Sequence, residues 1–214
     1  MTEGGFTLFG SYAGLFEIAN EYNSEVILDA QYRPTSREHQ MLYAFLPPSL
    51  GGYSQLSPMP VPNDVHSGLN PILIRYADIL LMNAEALAEL GELDKMAWDA
   101  TIKPIRDRAG FTLTSAVEFP EGASKDKLIE IVRNERRSEL ALEGHRHKDI
   151  IRWRIADDVL NGWCHGLKTN EVVGTDNGYV RVENRAFNAN RHYLWPIPQA
   201  ERDLNGNLEQ NPNW

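Results

Sequence analysis

Glu135 and Glu139 stand four residues apart in the run RNERRSELALEGHRHKDIIRW, residues 133–153, and invite a reading as an acid–base pair. Residues four apart on a helix are neighbours on one face. Retaining glycosidases need two carboxyl groups about 5 Å apart, and one of them must hold a proton near neutrality. The surroundings argue against that use. With Leu128 as origin and about 100° of turn per residue, Ile131, Val132 and Leu142 outline an apolar stripe. Glu135 and Glu139 then fall about 20° to either side of its centre. A lone carboxylate there is expensive to desolvate unless it is paired. Arg106, Arg108, Arg146 and Arg152 lie in the adjoining segments. The expectation is a half-buried Glu–Arg lattice whose guanidinium groups depress both carboxyl pKa values. Such a helix is scaffold, with no catalytic residue on it.

His145, His147 and Asp149 spell HRHKD and raise a metal hypothesis. On a helix, positions two apart differ by about 200°, so the two histidines do not share a face and only half a site remains. No metal and no cofactor are expected. Trp98, Trp153, Trp195 and Trp214 read as packing residues, His192 as a packed core residue, and Trp163 in NGWCHG as packing or an exposed ring.

Aromatics in the proline-rich stretch 33–70 occur where core periodicity is absent, and Tyr32, Tyr43, Phe45 and Tyr53 fall in or beside it. Sugar rings stack their C–H faces on flat aromatic surfaces while amides and carboxylates read the hydroxyls. Tyr53 with Gln55, and Asn63 with Asp64 and His66, supply that combination. Each tyrosine serves equally well to pin the loop to helices.

The elements that must position these residues are mostly helical. Residues 71–90 form an amphipathic helix with Pro71 in its first turn, Ile72, Tyr76, Ile79, Leu80, Leu87 and Leu90 on the apolar face, and Gly91 ending it. A second helix runs over 94–109 up to Gly110, with Pro104 expected to kink it or cut it short near 101–103. The alanine-rich AEALAELGELDKMA resembles a tetratricopeptide hairpin, in which small residues let two antiparallel helices approach. Ser124 caps a helix reaching Glu143, Gly144 breaks it, and 145–160 forms another. Residues 26–32 read as a short strand, 161–190 as loop with short strands at EVV and YVRV, and 199–204 as one helical turn. The class is mainly α with long irregular loops.

Composition excludes several functions. A net charge of −9 on 214 residues disfavours nucleic acid and anionic lipid surfaces, and leaves a neutral glycan indifferent. Hydrophobic content of 42% and charged content of 24% are those of a globular chain, and one domain is the default at this length. Cys164 is the single cysteine, so no intrachain disulfide forms. The start, MTEGGFTLFG, lacks the basic and apolar regions of a secretory signal.

Four stretches in order carry a family resemblance. ERRSELALEGHRHKDIIRW (135–153), IRYADILLMNAEALAELGE (74–92), IRDRAGF (105–111) and HYLWPIPQAERDLNGNLEQNPNW (192–214) resemble signatures of the SusD/RagB family of surface glycan-binding lipoproteins. NSEVILDAQY (23–32) is similar to a fifth, weaker one.

The resemblance implies a SusD-like α-helical fold with one tetratricopeptide-like hairpin. It divides a single C-terminal region into a loop-rich ligand-side segment 1–70, the hairpin 71–110, a helical pair 124–160, and a loop and tail 161–214. A preceding portion would carry the signal, the lipid anchor and further helical repeats. The resemblance also implies a non-enzymatic glycan binder on the outer-membrane surface, capping a SusC-like TonB-dependent transporter. Its glycan-contacting aromatics would come partly from the segment before the RYAD helix, at positions that vary with the sugar; that segment holds the candidates Tyr32, Tyr53, Gln55, Asn63, Asp64 and His66. Two alternatives stay open: a tetratricopeptide-like adaptor gripping a peptide, and a glycoside hydrolase using Glu135 and Glu139.

Overall fold

The short strand β1 (Val26–Asp29) pairs antiparallel with β2 (Ile72–Arg75), joining Val26 to Arg75, Leu28 to Ile74 and Asp29 to Ile72. A computed structural model describes residues 5–33, 35–38, 68–170 and 174–214. The β-branched Ile72 and Ile74 suit an extended backbone, and the ladder is prolonged by hydrogen bonds from Ala30 N to Pro71 O and from Tyr76 N to Glu25 O. The helix expected from Pro71 therefore begins only at Tyr76. Helical periodicity could not exclude a strand here, because the pairing partner lies far back in the chain.

Helix α1 (Tyr76–Leu90) ends at Gly91, whose φ of 77° lets the Gly91 and Glu92 amides reach back to the carbonyls of Ala88 and Leu87. Its buried apolar stripe is Ala77, Leu80, Leu81, Ala84 and Ala88; of the larger residues expected, Leu80 is buried, Tyr76, Ile79 and Leu87 are half-buried, and Leu90 is exposed. Small side chains let α1 pack closely on α2 (Lys95–Arg108) and α4 (Lys125–Glu139). The Asp94 carboxylate caps α2 by accepting from Ala97 N. Helix α2 runs through Pro104 to Arg108, where a stop near 101–103 was expected. Proline removes one donor and crowds the preceding turn, but buried Trp98, Thr101, Ile102 and Ile105 hold the helix on both sides of it. The Trp98 indole is fully buried, donates to Val117 O at 2.9 Å from the one-turn helix α3 (Thr114–Val117), and meets Phe119 edge-on.

Ser124 caps α4 by accepting from Lys127 N. This helix stops at Glu139, four residues short of the expected end, and Leu142 sits at a φ of 67° with 87% of its surface exposed. Extrapolating the helical wheel to Leu142 failed for that reason.

Two compact units divide the chain, residues 1–143 and 144–214. In the second, the expected 145–160 helix is two, α5 (Arg146–Arg152) and α6 (Ala156–Val159), separated where Arg154 takes a left-handed φ of 57°. A three-stranded antiparallel sheet follows in the order β3 (Gly162–Lys168), β5 (Tyr179–Arg185), β4 (Thr175–Asp176). YVRV lies in β5; EVV, 171–173, falls outside the described residues. The tail carries α7 (Gln199–Leu204). Gln210 pairs both ways with the Ile197 backbone, and Asn211 Nδ2 donates to Trp195 O. Trp153 is buried as expected. Trp195 is not: it is 77% exposed, its carbonyl accepting from Asn211 and its ring meeting that of His147 at 6.3 Å. Trp214 is 38% exposed, with Arg191 over its ring. His192 is half-buried, its ring meeting Phe187 and Trp214.

Candidate functional site

At the joint between β2 and α1, Arg75 has an extended backbone and a side chain 1% exposed. Its guanidinium donates to Glu143 through Nε (2.8 Å) and Nη2 (2.7 Å), to Glu25 Oε1 and Glu139 Oε1 through Nη1 (2.8 and 2.5 Å), and to Glu139 O through Nη2 (2.6 Å). Five donors meet five acceptors, the full capacity of the group. Arg108, at the end of α2, reaches Glu25 Oε2 at 2.5 Å and also Glu139 Oε1. Glu25 is wholly buried and accepts in addition from Phe9 N. The Tyr12 ring lies beside both guanidinium groups, 5.7 Å from Arg75 and 5.5 Å from Arg108, and its hydroxyl donates to Glu139 O. Two further pairs flank this lattice: Arg106 with Glu135 at 2.7 Å, and Arg136 with Asp78 at 2.5 Å.

The lattice contains Glu135, Glu139, Arg106 and Arg108 from the expected set. Arg146 and Arg152 each lie over the Trp153 ring, and Arg152 pairs with Asp149 at 2.9 Å. The centre belongs instead to Arg75, which the sequence reading passed over together with Glu25, Glu143 and the Asp78–Arg136 pair. One signal was available: Arg75 interrupts the apolar run ILIRYA, and Glu25 directly precedes VIL as Glu139 precedes LAL.

Electrostatics corrects a second expectation. Burial pushes the Glu139 carboxyl above its ordinary value, against the pull of Arg75 and Arg108. Both glutamates were expected to be depressed; for Glu139 desolvation outweighs pairing, because the carboxylate has left water almost entirely. Tyr12 is likewise raised, chiefly by burial. Arg75 is also raised, since its hydrogen bonds and charge pairing with Glu143 and Glu139 overcome the desolvation that would lower it.

Beside the lattice opens a cleft of about 580 Å³, bounded by Tyr12, Arg106, Arg108, Phe111, Asn134, Ser138 and the two glutamates. Glu135 and Glu139 thus face the cleft, but each is tied to arginine, Glu135 Oε2 to Arg106 and Glu139 Oε1 to Arg75 and Arg108. A raised carboxyl is what a general acid needs, and in Glu139 it belongs to a group whose Oε1 is held by two guanidinium groups.

Of the aromatic-loop candidates, Tyr53, Gln55, Asn63, Asp64 and His66 lie outside the described residues. Tyr32 is half-buried, with Arg37 over its ring. Its amide donates to Asn70 Oδ1 at 2.6 Å. Asn70 in turn donates from its amide to Glu21 Oε1 and from Nδ2 to the Tyr22 hydroxyl. Buried Asn70 thereby fastens residues 21–32 to the chain just before β2. Among the described residues no group of three or more His, Cys, Asp or Glu is placed to hold a metal ion. The exposed His165 shares Asp176 with Arg181, and these two partners hold the Asp176 carboxyl well below its usual range, Arg181 foremost.

The sequence pattern that defines the SusD family matches residues 62–214, which span α1, α2, α4 and the tail. The chain belongs to the SusD family. It is 32% identical over 205 residues to SusD-like protein P2 of Formosa agariphila, covering 90% of this chain and 37% of that protein. A SusD-like carbohydrate binding protein of Bacteroides fragilis is 40% identical with a TM-score of 0.58, over 69% of this chain and 30% of the other. A second SusD-like protein of B. fragilis, 20% identical, matches the fold over 99% of this chain and 60% of its own with a TM-score of 0.71. The mainly α, SusD-like fold is therefore shared, and this SusD-family chain spans just over a third of P2.

Proposed function

We infer that this chain is part of a non-enzymatic glycan-binding protein of the outer-membrane surface, which passes oligosaccharide to a SusC-like TonB-dependent transporter. The observation that carries the reading is the likeness, at 40% identity, to a SusD-like protein described as carbohydrate binding. Tyr32, Tyr53, Gln55, Asn63, Asp64 and His66 form the ligand side: tyrosine rings stack on sugar C–H faces, and amide, carboxylate and imidazole groups read hydroxyls. The lattice around Arg75 serves as a rigid base for these loops, and its arginine-bound carboxylates support binding without bond cleavage. Tethering to the membrane comes from a lipid anchor on a preceding part of the protein; among the described residues no helix is long and apolar enough to cross a membrane.

Affinity electrophoresis through gels containing neutral polysaccharides, run beside a reducing-sugar assay, tests the reading. Retardation in at least one gel without release of reducing ends is expected, and Tyr53→Ala should remove most of it. Release of reducing sugar that disappears in Glu135→Gln or Glu139→Gln would establish the hydrolase instead.

A further inference from the structure

We propose that the cleft between the end of α2 and the outer face of α4 is a second saccharide pocket, taking one unit of a neutral glycan. The proposal rests on the glycan-binding reading above, but none of its residues belongs to the loop site. At about 580 Å³ the cleft has the size of a small-molecule pocket.

Its charges cancel internally. Arg106 is bound to Glu135, and Arg108 through both terminal nitrogens to Glu25 and Glu139, its buried Nε alone being unpartnered, so each charge in the lining has an opposite charge beside it. Polar but electrically balanced walls suit hydroxyl groups better than a charged ligand.

Phe111 supplies the flat apolar face. Helix α2 ends in a left-handed Gly110 (φ 80°), with Gly110 N bonded to Asp107 O and Phe111 N to Arg106 O. In this helix stop the residue at the Phe111 position usually packs back onto the helix. Phe111 instead stays 51% exposed at the cleft, which the half-buried Tyr12 also lines. Asn134 and Ser138 complete the pocket. They stand four apart on α4 and so share a face, both are exposed, and among the described residues neither side chain has a hydrogen-bond partner. One amide and one hydroxyl offer donors and acceptors together, as the paired hydroxyls of a sugar require.

The test uses the intact 214-residue chain with amide-selective NMR. Maltoheptaose, laminarihexaose, xylohexaose and mannohexaose are titrated, with oligogalacturonate as the charged control. A neutral oligosaccharide should shift the Asn134 side-chain amide resonances. Phe111→Ala, and Asn134→Ala combined with Ser138→Ala, should weaken that response about tenfold, with circular dichroism unchanged because all three residues are exposed. Tyr53→Ala should leave the response in place. Variants that bind as the unaltered chain does, while Tyr53→Ala loses binding, would overturn the second pocket and spare the loop site. A stronger response to oligogalacturonate, or occupation of the cleft by another protein chain, would also overturn it. Failure of every oligosaccharide to bind the unaltered chain would remove both readings.

Discussion

Arg75 holds both carboxyl oxygens of Glu143, a residue 68 positions further along the chain, through parallel bonds of 2.8 and 2.7 Å. This fork-to-fork geometry is available to arginine alone among the cations. It ties the start of α1 to the chain beyond α4, while the same guanidinium holds Glu25 beside β1.

Removing Arg75 should be severe. Arg75→Ala leaves Glu25, Glu139 and Glu143 facing one another with Arg108 as their remaining described cation, and a broken buried pair costs about 3–5 kcal/mol. Arg75→Lys should recover little, since an ammonium cannot make the bidentate contact. Urea unfolding of the three proteins measures the difference; a midpoint within error of the parent would refute the central role of Arg75.

Glu139 should give stability an unusual pH slope. Its carboxyl is raised from an ordinary value of 4.5, chiefly by burial. In the window just above 4.5 the folded state therefore holds more proton than the unfolded one, and this group's contribution falls as pH rises. Arg75, Arg108, Tyr12, Glu25 and Glu143 face it from the surrounding elements. The stability of the parent relative to Glu139→Gln should decline from pH 4.5 upward, read from urea midpoints at successive pH values. A relative stability that climbs instead would mean that pairing outweighs burial.

Trp98→Phe should cost more than its lost ring area. The indole N–H is the donor to the buried Val117 carbonyl, and leaving that acceptor unpaired costs about 1–3 kcal/mol. Thermal unfolding followed by far-ultraviolet circular dichroism would show it. Parent-like stability would mean that water or another donor replaces the indole.

Pro104→Ala should stabilise the chain. Alanine restores an amide donor toward the Ala100 carbonyl within α2, and an interior proline is unfavourable by about 3 kcal/mol relative to alanine in a free helix. A gain of about 1–3 kcal/mol in urea is expected, since the native packing already accommodates the ring. A loss would show that the ring is needed for packing.

Much of the helical layout was legible before any coordinates. Ser124 caps the helix its position announces, Gly91 and Gly110 close theirs, and Glu139 is buried with guanidinium partners as its place in an apolar stripe required. These signals act over one or two helical turns. The pairing of 72–75 with 26–29, the early end of α4 and the exposed Trp195 were misread, because each depends on something the local pattern does not contain.

By itself, then, the sequence determined the mainly α class, the helix caps and the need for cations around Glu135 and Glu139. Propensity, capping and the desolvation of charge are properties of residue type and near neighbours. Tertiary structure alone decided which cations answered. Arg75 and Arg108 reach Glu139 across 64 and 31 residues. A salt bridge needs two charges within a few ångströms, and only the folded path of the chain determines which pairs come that close.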